Sequence, residues 1–163
     1  MTTLLSPRTA WRFSCSWRVD TLTRQRGRAD VERLGAAVHV RVLDTSCGGD
    51  GTAFGYAATE AWLQDDGRLV VRAFAAPPAL LVTVSGARLL PAPPETECEV
   101  EASDGDIVVM CSAEALGYLP NGLGAVLARS PLRVGATHPA ALLEALMDGS
   151  PCGAALVARC VGD

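Results

Sequence analysis

The chain reads as an α+β domain built on antiparallel sheets, and three observations carry that reading. Apolar and polar residues alternate with period two near the N-terminus and again around residues 38–42. Glycine-bearing turns punctuate short strand-like runs through the middle of the chain, and the helical patterns are concentrated late.

Taken in order, Trp11, Phe13, Cys15, Trp17 and Val19 alternate with Arg12, Ser14, Ser16 and Arg18, which predicts a strand with one buried face over 11–19. Residues 20–33 are polar and arginine-rich, and no element is assigned to them. Val38, Val40 and Val42 then alternate with His39 and Arg41. A helix over 30–43, with Val31, Leu34, Val38 and Val42 on one face, competes with a strand there. The strand is favoured because β-branched residues cluster at its end. Residues 45–55 hold four glycines and predict a loop. Strands over 56–63 and 68–74 flank Asp65-Asp66-Gly67, and strands over 79–84 and 88–90 flank Ser85-Gly86, so two hairpins are expected. An edge strand over 97–101, a turn at Asp104-Gly105-Asp106 and a buried aliphatic strand over 107–111 follow. Helices are predicted over 121–128 and 139–147. The second has Thr137 as cap, Pro139 in the first turn and Gly149 as its stop. An apolar strand over 154–161 closes the chain.

With 163 residues, 49% apolar and 20% charged, the chain suits one domain spanning 1–163, with residues 1–10 expected to be disordered. The net charge is -4, and the fourteen basic residues, all arginine, are scattered rather than striped, which argues against nucleic acid as a partner. No run approaches the ~20 apolar residues a membrane helix needs, and the N-terminus lacks the apolar core of a secretory signal. A cytoplasmic location is the expectation. Six cysteines lie at 15, 47, 98, 111, 152 and 160 without the paired spacing of a zinc site, so most are read as buried thiols. His39 and His138 stand apart, with no serine or cysteine partner at catalytic spacing.

Residues 105–120, GDIVVMCSAEALGYLP, resemble a segment of the PPM family of metal-dependent serine/threonine protein phosphatases that reads roughly G-D-x-L-L-L-C-S-D-G-L-T-G-Y-L-P. In that family the aspartate of S-D-G binds a catalytic metal. Here Ala113 stands in its place and Glu114 replaces the glycine. The stretches PAALLEALMDG and ALVARCV are similar to the family's last helix and last strand, and between them Cys152-Gly153 occupies the position of a D-N motif whose aspartate is another metal ligand. Residues 55–91 are similar to the family's G-T-T strand and following hairpin, and Pro77-Pro78 looks more like its SpoIIE-type branch. The resemblance covers about residues 55–163.

The first 54 residues match less closely. Asp20 and Asp30 have the ten-residue separation of two family aspartates, and Asp44, in VHVRVLDTSCGG, is the counterpart of the aspartate in D-G-x-G-G. Gly48-Gly49-Asp50 also resembles a G-G-D motif but sits in the wrong place relative to the later blocks. The family places two long helices between the D-G-x-G-G loop and the G-T-T strand, and only a few residues separate them here. The resemblance therefore implies a PPM-like antiparallel β-sandwich with flanking helices, one helical layer reduced or missing.

Two divalent cations held by converging carboxylates do the family's chemistry. Asp30 and Asp44 are the remaining candidates, as vestigial ligands, while Ala113 and Cys152 supply no carboxylate oxygen. The expectation is thus a pseudophosphatase, with no catalytic residue, no metal and no cofactor, acting as a binding or regulatory module toward a protein partner or as a homodimer. A sheet face stripped of its helices should expose apolar surface for that purpose. The alternative is a weak phosphatase with a reduced Mg or Mn site drawing on Asp30, Asp44, Asp50 or Glu114. A third reading is a structural domain with no retained site. If the alignment holds, Cys111 and Cys152 lie close together, because the S-D-G and D-N motifs meet at the family's metal site.

Overall fold

The computed structural model describes residues 13–44, 58–117 and 139–163. Within them lie strands β1 (Cys15–Thr23), β2 (Gly27–Leu34), β3 (Ala37–Asp44), β4 (Ala58–Gln64), β5 (Arg68–Phe74), β6 (Ala79–Thr83), β7 (Gly86–Leu90), β8 (Glu97–Glu101), β9 (Ile107–Cys111) and β10 (Ala154–Gly162). Helices α1 (Ala113–Gly117) and α2 (Pro139–Leu146) fall between β9 and β10. The strands form two five-stranded sheets in the orders β1-β10-β9-β6-β7 and β2-β3-β4-β5-β8. Every strand pairing is antiparallel.

Period two in the sequence becomes two separate cores. Val40, Leu63, Leu69 and Val71 point inward from the second sheet and meet Val108, Met110 and Leu156 from the first. Their intervening neighbours on the first sheet, among them Ile107, Val109, Ala155 and Val157, face the other way and pack against Leu142, Leu146 and Met147 of the α2 region and Ala115 of α1. The first sheet is therefore buried on both faces, which is why β9 and β10 read as continuous apolar runs rather than alternating ones. Trp17 donates from Nε1 to the Gln64 carbonyl at 2.9 Å and ties the two sheets together at one margin.

Glycine supplies the positive φ that the tight turns require: Gly67 at 89° between β4 and β5, and Gly149 at 75° just past the end of α2.

Several expectations shift. The first strand runs later than 11–19, and Phe13 lies before it, partly exposed. The arginine-rich stretch 20–33, to which no element was assigned, supplies the end of β1 and most of β2. Its strand character is masked because β2 is an edge whose outward positions Arg28, Asp30 and Glu32 are all charged, while Ala29 is its packed inward residue. The short helix α1 was also unforeseen, being a single turn without periodicity. The strand over 38–42 prevails over the competing helix. The loop predicted over 45–55 and the helix over 121–128 lie outside the described residues.

The outward face of the second sheet is not the apolar surface that the loss of a helical layer suggests. Both described helices pack on the first sheet, α2 against β1 and β10 and α1 against β10. The outward face of the second sheet carries ion pairs: Arg41 to Asp30 at 2.9 Å, Arg72 to Glu97 at 2.9 Å and Arg72 to Glu60 at 3.6 Å. His39 Nε2 sits 2.9 Å from Glu60 Oε2 and stacks on Trp62 with ring centroids 4.8 Å apart, and the Arg72 guanidinium lies 5.3 Å from the Trp62 ring. Charged partners let a sheet face meet water without exposing apolar area. Among the described residues no helix is long and apolar enough to cross a membrane.

Candidate functional site at the end of the sandwich around Gly153

Three chain segments converge at one end of the sandwich: the turn between β1 and β2, the start of α1 and the approach to β10. Antiparallel pairing sets Cys111 opposite Ala155. The Ser112 N–H then donates to the Ala154 carbonyl at 2.9 Å. Ser112 Oγ accepts from the N–H of Ala154 at 2.9 Å and from that of Ala115 at 3.2 Å, fastening the first turn of α1 to β10. Gly153 adopts φ 99°, and a Cβ there would lie 2.7 Å from Ser112 Oγ and 2.8 Å from the Ala115 nitrogen, so only glycine fits. Cys111 and Cys152 are each one residue from this contact, a Cα step of about 3.8 Å. Ala113, Glu114, Cys152 and Gly153 are thus brought together.

The turn between β1 and β2 closes onto the same place. The Arg24 N–H donates to the Gly153 carbonyl at 2.9 Å, and the Gly153 N–H donates to the Gln25 carbonyl at 2.8 Å. The Arg24 guanidinium donates to the carbonyls of Met147 at 2.9 Å and Ser150 at 2.6 Å, a cation satisfying backbone acceptors just beyond α2. Arg26, held at φ 62°, places its guanidinium 3.6 Å from Glu114. Glu114 is therefore paired rather than poised as a free ligand.

Asp44 ends β3 opposite Gly27 and so lies at this end of the sandwich. Asp30 does not. It pairs with Arg41 three positions further along the sheet, on the outward face, and is bonded to Arg28 at 3.0 Å and Arg41 at 2.9 Å. Burial raises its pKa, but the hydrogen bonds from Arg41 and Arg28 outweigh that and hold the carboxyl below its ordinary value. Asp20 sits mid-strand in β1 opposite Val157, in the other sheet from Asp30. Asp50 lies outside the described residues.

Among the described residues, the side chains at this end do not form the oxygen-rich cluster that a pair of Mg or Mn ions takes. Hard divalent cations need several oxygen ligands, preferably carboxylates, on one spot. Here Ala113 offers a methyl group, Cys152 a buried thiol, and Glu114 is engaged by a guanidinium whose positive charge opposes a cation. Among the described residues no three His, Cys, Asp or Glu side chains converge to hold a metal. Cys111, one residue before Ser112, is buried, which pushes its thiol up to about 12 and disfavours the reactive thiolate.

The residues that sequence reasoning missed are Arg24, Arg26, Gly27 and Ser112. Ser112 was visible as the serine of the S-D-G motif, and a lone glycine amid the polar run TRQRGRAD marked the turn. Replacing Ser112 by alanine removes the acceptor for two buried N–H groups, so a loss of about 2 kcal/mol is expected. An unchanged urea midpoint would mean that another acceptor takes over.

No family model matches the chain, and no curated protein matches it in sequence. Solved structures do. The phosphatase domain of the cell fate determinant SpoIIE from Bacillus subtilis, with a fragment of its regulatory domain, superimposes with a TM-score of 0.68 at 9% identity, covering 93% of this chain and 64% of that one. The RsbU and RsbW domains of Rv1364c from Mycobacterium tuberculosis give 0.68 at 13% identity, covering 92% and 63%. This chain thus spans less than two thirds of either. The catalytic domain of the serine/threonine protein phosphatase PstP, in complex with two manganese ions, gives 0.57 at 12% identity, covering 91% of this chain and 99% of that one. Two antiparallel sheets with few helices among the described residues, and these superpositions, establish that the chain has the fold of the PP2C (PPM) phosphatase domains.

Proposed function

We propose that this protein is a pseudophosphatase, a PP2C-fold domain that serves as a binding or regulatory module rather than a hydrolase. The observation that carries this reading is the composition of the sandwich end around Gly153. Ala113 and Cys152 stand where the resemblance places carboxylates, and Arg26 pairs with Glu114 across the same space. Main-chain hydrogen bonds, from the Arg24 N–H to the Gly153 carbonyl and from the Gly153 N–H to the Gln25 carbonyl, seal the turn against β10. Each missing carboxylate raises the cost of holding two divalent ions together, and a resident guanidinium adds to it.

Purified protein with excess Mn or Mg is expected to hydrolyse neither p-nitrophenyl phosphate nor a phosphopeptide above a mock preparation. Ala113→Asp combined with Cys152→Asp is expected to improve metal affinity, read by calorimetry. Metal-dependent turnover by the unmodified chain, abolished by Asp44→Asn, would instead establish a weak phosphatase.

A further inference from the structure

The outward face of the second sheet carries a charge pattern complementary to itself. Its five strands run in register, so Asp30, Arg41, Glu60, Arg72 and Glu97 form one row in which the sign alternates from strand to strand. The neighbouring row reads Glu32, His39, Trp62, Val70 and Glu99. An aromatic centre within a charged rim is the anatomy of a recognition surface.

We propose that two copies of the chain associate through this face, about a two-fold axis parallel to the strands and lying between β3 and β4. That axis sets Arg41 against the partner's Glu60, Asp30 against the partner's Arg72 and His39 against the partner's Trp62. Moving the axis onto β4 would oppose Arg41 to the partner's Arg72 and Glu60 to its own copy, so the alternation places the axis between strands, and the gap between β3 and β4 is the one that also sets His39 on the partner's Trp62. Antiparallel edge-to-edge pairing through β8 is disfavoured, because centred on Glu99 it would set that residue against its own copy and Glu97 against the partner's Glu101. About this axis β2 to β5 face the partner and β8 lies outside the overlap, so four strands at about 4.8 Å and seven or eight residues at about 3.3 Å give roughly 470 Å² per copy. Roughly 950 Å² in total lies below the roughly 1,200 Å² at which stable specific interfaces begin, in the range of transient encounters, so the dimer is weak and salt-sensitive.

The test is sedimentation equilibrium on the full chain at about 100 μM in about 50 mM salt, where charge pairs are little screened. A dimer that dissociates as salt is raised is expected. Arg41→Glu and Glu60→Arg should each weaken it at least tenfold. Mixing the two variants should restore a heterodimer, because every reversed charge then meets its opposite. A folding defect would not be cured by mixing. Arg72→Glu, at a more exposed position, should also weaken the dimer by opposing the partner's Asp30. An unmodified chain that stays monomeric overturns the proposal and leaves the face to a partner of different sequence. A dimer indifferent to salt and to all three reversals overturns it too.

Discussion

Gly27→Ala is expected to destabilise the protein by about 3 kcal/mol or more, a large fraction of the stability of a domain this size. A Cβ at Gly27 would overlap the carbonyl carbon and oxygen of Gly153, so a methyl group cannot enter unless backbone moves. That backbone is committed. Gly153 is fastened by hydrogen bonds to Arg24 and Gln25, and it packs against the first turn of α1. The strain therefore falls on the contact that joins the two sheets at the sandwich end. Gly117→Ala is the control, because a Cβ there meets nothing within 4 Å. Urea denaturation should show a large fall in midpoint for the first substitution and little change for the second. Hydrogen exchange should rise around residues 147–154 in Gly27→Ala. Equal midpoints for the two variants would mean that the turn opens freely and does not seal the site.

The fold was legible wherever a strand has one chemistry per face or is buried on both. Residues 107–111 and 68–74 coincide with β9 and β5 to the residue, because aliphatic runs and an Asp-Gly turn mark them without competition. The edge β2 was not legible. Its face to water carries charges in place of the hydrophobic pattern that periodicity arguments need, and what stabilises it is pairing with β3, which is a non-local fact. Ala113 and Cys152 were legible as departures from a motif. Asp30 falls elsewhere on the sheet, and a ten-residue spacing cannot tell which side of a strand a carboxylate occupies or how far along the sheet it falls. Only the register, with Gly27 opposite Asp44 and Asp30 opposite Arg41, separates them. The pairing of Arg26 with Glu114 depends on two segments far apart in the chain meeting at Gly153, and no local signal predicts it.

Leu156→Ala should destabilise the protein by about 3 kcal/mol, since truncating a buried leucine costs roughly 2–5 kcal/mol, the cavity included. Leu156 is fully buried between the sheets, on the strand that pairs with both β1 and β9. No neighbour can easily collapse into the space, because Val108, Met110 and Val40 belong to strands already held by hydrogen bonds on both sides. The same truncation at Leu89, partly exposed on the edge strand β7, should cost about 0.5 kcal/mol or less. Leu156 also lies three residues after Gly153, so a loosened β10 should loosen the grip of Ser112 on Ala154. The outward face of the second sheet, held by its own ladder from β2 to β8, should keep its ion pairs while the domain stays folded. Below the unfolding transition, self-association of Leu156→Ala is therefore expected to match that of the unmodified chain, while its thermal midpoint falls. If the midpoint were unchanged, the sandwich core would not be packed around Leu156 as described; if association fell in step with stability, the dimer face would not be independent of that core.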